Sequence, residues 1–91
     1  MILHNVFTLT AGTPTEVVGP ATQRQVAHFH NLTKSSNHYI YLGSQTVSTA
    51  NSIHLDPGES KEITLEPLDT LWAVSDPSDL ELGVLIVRQS Q

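Results

Sequence analysis

Apolar and polar residues alternate along most of this chain with a period of two, the signature of strands with one buried face. The opening stretch Ile2–Leu9 places Ile2, His4, Val6 and Thr8 on one side and Leu3, Asn5, Phe7 and Leu9 on the other. Arg24–Leu32 repeats the pattern, with Val26, His28, His30 and Leu32 opposite Ala27, Phe29 and Asn31. Shorter segments at Thr15–Val18, His38–Leu42, Lys61–Leu65 and Leu71–Val74 read the same way. Leu82–Arg88 carries the near-continuous apolar run Val84-Leu85-Ile86-Val87, which suits a central strand covered on both faces. No window has the 3.6-residue apolar spacing of an amphipathic helix.

Turn residues punctuate these segments every 8–12 residues or so, as in sandwiches and barrels. Ala11-Gly12-Thr13-Pro14, Gly19-Pro20, Asp76-Pro77-Ser78-Asp79 and the Pro67/Asp69 pair each break the pattern. Asp56-Pro57-Gly58-Glu59 is the clearest turn, with Pro second and Gly third. Thr33–Asn37 reads as an exposed hairpin loop. The polar stretch Gly43–Ile53 has only Val47 and Ile53 as apolar anchors, and a short helical turn around Ser48–Asn51 fits there. The expected fold is therefore all-β, a small antiparallel β-sandwich occupying residues 1–91 as a single domain; a small closed barrel is the alternative.

Size and charge narrow the function. A chain of 91 residues without cysteine has no disulfide or thiolate–metal staple, so association is an expected source of part of its stability. The net charge is −5, and the four cations Arg24, Lys34, Lys61 and Arg88 are scattered. That is the opposite of a nucleic-acid footprint, which needs clustered positive charge. No apolar run approaches the roughly 20 residues that span a bilayer as a helix, and the N-terminus lacks the basic start of a signal peptide. The expected partners exclude nucleic acid and membrane.

Candidate chemistry is sparse. His28 and His30 share a strand face and are the weaker, alternative reading as metal ligands, with His4, His38 or His54 as a third nitrogen. An i, i+2 pair is more often a pair of half-exposed strand residues, and the same histidines would suit a pH-sensitive interface. The carboxylates Glu59, Glu62, Glu66, Asp69, Asp76 and Asp79 sit in or near turns, where propensity and solubility explain them. No GxSxG elbow, phosphate-cradling glycine loop or metal-binding motif occurs. Neither catalytic residues nor a cofactor or metal site is assigned. Trp72, Tyr39 and Tyr41 are candidates for a sugar-stacking platform, although a Trp beside Leu71 and Val74 is more often core. Asn31-Leu32-Thr33 matches the glycosylation pattern and reads as coincidence.

Four stretches carry a resemblance across nearly the whole chain. They are FTLTAGTPTEV, VAHFHNLTKSSNHYIYLGSQTVSTANSIHL, LDPGESKEITLEPLDTLWAVS and LGVLIV. Together they resemble a group of small β-rich virion proteins of tailed bacteriophages. The chain departs from their pattern at Gly43-Ser44 and Asn51-Ser52, where a glycine pair and Asn-Gly are expected. The resemblance implies a non-enzymatic structural protein, foremost a capsid decoration protein on the head surface. Its implied partners are the major capsid protein and further copies of itself as a homotrimer. A tail, fibre or baseplate module and a carbohydrate-binding module are the alternatives. The partner-facing surface is expected on the first strand and the Gly43–Ile53 segment, through Ile2, His4, Val47, Asn51 and Ile53.

Overall fold

A computed structural model describes residues 2–49 and 53–88. Eight strands form: β1 Ile2–Leu9, β2 Thr15–Val18, β3 Gln25–Asn31, β4 Tyr39–Gly43, β5 Ile53–Leu55, β6 Ser60–Leu65, β7 Leu71–Asp76 and β8 Leu80–Arg88. They make two four-stranded antiparallel sheets. Sheet I has the order β1-β8-β3-β6 and sheet II the order β2-β7-β4-β5.

The pairing β1·β8, β2·β7, β3·β6 and β4·β5 describes one long ribbon. Its two halves, β1 to β4 and β5 to β8, are antiparallel and joined at the β4–β5 connection. Rolling that ribbon brings β3 against β8 and β4 against β7, which completes both sheets. This is the eight-stranded jelly roll, a β-sandwich. The all-β sandwich expected from the alternation is present, and the closed barrel is not.

The rolled ribbon changes the meaning of most turns. Only β4 and β5 are consecutive strands in one sheet. Thr33–Asn37 is therefore not a hairpin loop but an arch that carries the chain from sheet I to sheet II. The segment Gly43–Ile53 leads into the short edge strand β5, Ile53–Leu55, whose three residues are too few to show an alternation in the sequence. Ser48 and Thr49 are not helical, and the rest of the expected helical turn, Asn51 included, lies outside the described residues.

The core fills the space between the sheets with Leu9, Val17, Val18, Ala27, Phe29, Ile40, Leu42, Leu55, Leu71, Ala73, Leu82 and Val84. Val17 and Val18 both reach it because β2 slips register against β7 between Glu16 and Val18. Each end of β3's inward face closes the core with a fully buried amide. Gln25 donates from Nε2 to Gly19 O at 3.0 Å and accepts from Arg88 Nε at 3.1 Å. Asn31 donates from Nδ2 to His38 O (3.2 Å) and Leu55 O (3.1 Å), and its Oδ1 accepts from Thr33 N at 3.1 Å. The described residues leave no buried side-chain polar atom unpaired.

β8 is central in sheet I, as its apolar run indicates, but it is covered on one face only. Leu80, Leu82 and Val84 are buried, while Leu85 remains 39% exposed on the other side. Among the described residues no helix packs over sheet I, so Leu85 and Val87 stand on an uncovered face.

Candidate functional site

The uncovered face of sheet I is assembled by alternation from four strands. β1 directs Ile2, His4, Val6 and Thr8 outward, and β8 directs Glu81, Gly83, Leu85 and Val87. β3 adds Val26, His28 and His30, and β6 adds Ser60, Glu62 and Thr64. Cross-strand register arranges them in rows. The first is Ile2–Val87–Val26–Thr64, the second His4–Leu85–His28–Glu62, and the third Val6–Gly83–His30–Ser60.

Leu85 thus sits between two histidines at the middle of the face. Ile2 (69%), Val6 (50%) and Leu32 (40%) are exposed around it. Leu32 follows β3 and lies over Gly83: a Cβ on that glycine would meet both Leu32 methyl groups at 3.7 Å. Leu32 N–H is anchored by Glu81 O at 3.1 Å. Among the described strand residues the face directs outward two carboxylates, Glu62 and Glu81, and no lysine or arginine; the exposed Arg24–Glu66 ion pair adjoins the ends of β3 and β6. Two of the nine acidic residues of the chain stand on this surface, both away from Leu85's apolar neighbours Ile2 and Val6 on β1. Apolar, charge-poor patches of this kind are where proteins meet proteins.

His28 and His30 do share this face with His4, but they do not form a metal centre. His28 Nε2 points to Glu62 Oε2 at 3.7 Å, and His4 stands on the far side of Leu85. Among the described residues no three His, Cys, Asp or Glu side chains converge as a metal requires. His38 uses Nδ1 on Ser36 O at 2.8 Å, and His54 Nε2 lies 3.1 Å from Asp56 Oδ1, both on sheet II or its loops.

The expected partner-facing residues separate into groups. Ile2 and His4 are exposed on the sheet I face. Ile53 is 57% exposed at the edge of sheet II. Val47 is 5% exposed, because its loop turns back through Val47 N–H to Ser44 O (2.9 Å), and this side chain is unavailable to a partner. Asn51 lies outside the described residues. Sequence reading missed Val6, Leu32 and Leu85; the signal was present in Leu85, an apolar residue out of phase with β8's buried set.

The opposite face of the sandwich is different. Tyr39, Tyr41 and His54 cluster on sheet II, with His54 5.4 Å from Tyr39 edge-on and 5.8 Å from Tyr41. Trp72 is on this outer face beside Gly43 and Glu16, half-buried rather than in the core. Asn31 is fully buried with both Nδ2 hydrogens committed to carbonyls, so the glycosylation pattern is coincidental in the folded chain.

No protein-family model matches the chain, and no curated protein does. Solved structures do match in fold. The structure of Bacillus endospore appendages, a family of disulfide-linked pili, superposes over 99% of this chain and 87% of its own, with a TM-score of 0.61 and 13% identity. The periplasmic inhibitor of g-type lysozyme from Aeromonas hydrophila, PliG, aligns over 98% of this chain and 85% of its own at a TM-score of 0.43 and 15% identity. At these identities the first likeness is one of fold.

Proposed function

We propose that this chain is a non-enzymatic structural protein of a phage virion, a decoration protein that lays the outer face of sheet I on the major capsid protein shell. The observation that carries the reading is the charge-poor apolar face centred on Leu85, with Ile2, Val6 and Leu32 exposed around it. Such a surface exposed to water is an aggregation hazard unless a partner covers it. The jelly roll holds it rigid, and β8's inward side anchors it to the core. The resemblance of the chain to small virion proteins supplies the partner class. A pilus is the fold neighbour with a structural role, and its disulfide linkage has no counterpart here, since the 91 residues contain no cysteine.

The test is association with phage heads prepared without this protein. The wild-type chain is expected to sediment with them. Leu85→Lys is expected to abolish binding with the thermal transition retained, because Leu85 is already partly exposed and contributes little to the core. Lys34→Glu, on the arch between the sheets, is expected to bind as wild type. Absence of association with heads, or full binding by Leu85→Lys, overturns the reading.

The aromatic cluster Tyr39–His54–Tyr41 favours a second reading, a carbohydrate-binding face on sheet II. Glycan-array binding lost in Tyr41→Ala, with the fold intact, is its test.

A further inference from the structure

A jelly roll has four edge strands, and three of them here are blunted against pairing. β6 carries Lys61 and Glu62. β2 has four residues and a register slip. β5 has three residues. Short, bulged or charged edges are the usual protection against strand addition. β1 has none of these features. It runs eight residues, Ile2 to Leu9, in unbroken register with β8, and contains no Asp, Glu, Lys, Arg or Pro. Among the described residues nothing pairs with its outer edge.

The direction of its backbone groups is fixed by one contact. Val6 N–H donates to Asn5 Oδ1 at 2.8 Å, so it points away from β8. In an antiparallel ladder the groups alternate, so the N–H and C=O of His4, Val6 and Thr8 all face the free edge. Apolar side chains stand at this edge on both faces of the sheet, interspersed with His4, Asn5 and Thr8. Ile2 and Val6 are exposed outward, and Leu3 is exposed inward. Leu3, Asn5 and Phe7, with Val17, Val84 and Ile86, line an open groove of about 270 Å³ beside β1.

We propose that β1 pairs antiparallel with β1 of a second copy, about a two-fold axis passing beside Asn5. The occupant is argued from self-complementarity. Centred on Asn5, the pairing sets His4 opposite Val6 of the partner subunit, and these two exchange the free-edge hydrogen bonds. It sets Leu3 opposite Phe7 of the partner subunit, which brings an apolar side chain over each groove. The Asn5 side chains meet at the axis, where each releases its own Val6 N–H to the partner strand. β1 contains no fixed charge, so two chains of net charge −5 meet here without like charges in the pairing strand. The two copies of sheet I join into one eight-stranded sheet with a doubled outer face. This pairing does not depend on the shell-docking reading, and it closes as a two-fold dimer rather than the trimer the resemblance implies.

Sedimentation equilibrium of the isolated protein tests it. The wild type is expected to give twice the 9.9 kDa chain mass, dissociating on dilution. Val6→Pro removes a donor that β8 does not use, a substitution edges tolerate. It is expected to weaken association by about tenfold or more. Val6→Lys places a charge at the same edge and keeps the test valid if Val6→Pro unfolds. Asn5→Cys is expected to form an interchain disulfide on mild oxidation, since residues paired this way stand about 4.5 Å apart at Cα, within disulfide reach. Ser35→Cys, on a remote loop, is the control. A single-chain mass at every concentration, a trimer unaffected by Val6→Lys, or equal cross-linking of the two cysteine variants overturns the pairing. Loss of head binding with the dimer intact counts against the docking reading alone.

Discussion

Gly58 and Leu68 hold the same position in two turns of the same construction. Each is the third residue of a Pro-led turn, with φ of +75° and +72°. In the first, Glu59 N–H returns to Asp56 O at 2.9 Å, and Asp56 N–H reaches Glu59 Oε1 at 2.8 Å. In the second, Asp69 N–H returns to Glu66 O at 3.0 Å, and Glu66 N–H reaches Asp69 Oδ2 at 3.1 Å. Glycine meets the left-handed requirement without strain, and leucine does not. Leu68 is held there by its N–H on Ala21 O at 2.7 Å, with its side chain 68% exposed.

Leu68→Gly is therefore expected to stabilise the protein. Relief of the left-handed backbone contributes about 1–2 kcal/mol, and the added freedom of the unfolded chain offsets about 0.5–1 kcal/mol of it. A net gain of about 0.5–1 kcal/mol raises the melting temperature by a few degrees, measurable by calorimetry. No increase in Tm would mean that Leu68 makes compensating contacts.

Gly58→Ala is the converse. A Cβ at Gly58 meets no atom within 4 Å, so the cost is purely one of backbone conformation. A loss of about 1 kcal/mol is expected in urea titration, with the m-value unchanged.

Asn31→Ala is expected to cost more. It strips the buried Leu55 O and the part-buried His38 O of their shared donor, and Thr33 N–H of its acceptor. Buried groups left unpaired cost about 1–3 kcal/mol each, and relaxation toward water reduces the sum to about 2–4 kcal/mol. Equilibrium denaturation gives the value; a loss under 1 kcal/mol would show that the end of the sandwich admits water freely.

Glu66→Gln probes the opposite extreme. Arg24 grips Glu66 with Nε and Nη2, down to 2.8 Å, yet both side chains are 54% exposed. Solvent screening holds the expected loss below about 1 kcal/mol, and it should shrink further in high salt. A large, salt-independent loss would argue against that screening.

The jelly roll was partly legible. The alternation in Ile2–Leu9 and Arg24–Leu32 put Leu9 with Phe7, and Ala27 with Phe29 and Asn31, on shared faces, because side-chain direction follows from strand geometry alone; packing of the sheets decided that these faces are the buried ones. Asp56-Pro57-Gly58-Glu59 announced its turn because Pro and Gly act on their own backbone angles. The positive φ at Leu68 carried no such signal, since it is imposed by Ala21 O from a distant loop. Val47, placed among partner-facing residues by the polarity of its neighbours, is buried by a loop whose path the local sequence does not specify.

The sequence by itself determined that the chain is all-β, where most strands lie and which side chains of each strand share a face. Those properties come from local backbone preference and period-two alternation. Tertiary structure alone decided that β1 pairs with β8 across 71 residues from Leu9 to Leu80, and that Thr33–Asn37 crosses between sheets. Strand pairing is made by backbone hydrogen bonds, which are alike for every residue type but proline and so do not mark in a single sequence which strand lies beside which. That pairing is what gathers His4, Leu85 and His28 into one row and leaves one uncharged edge open.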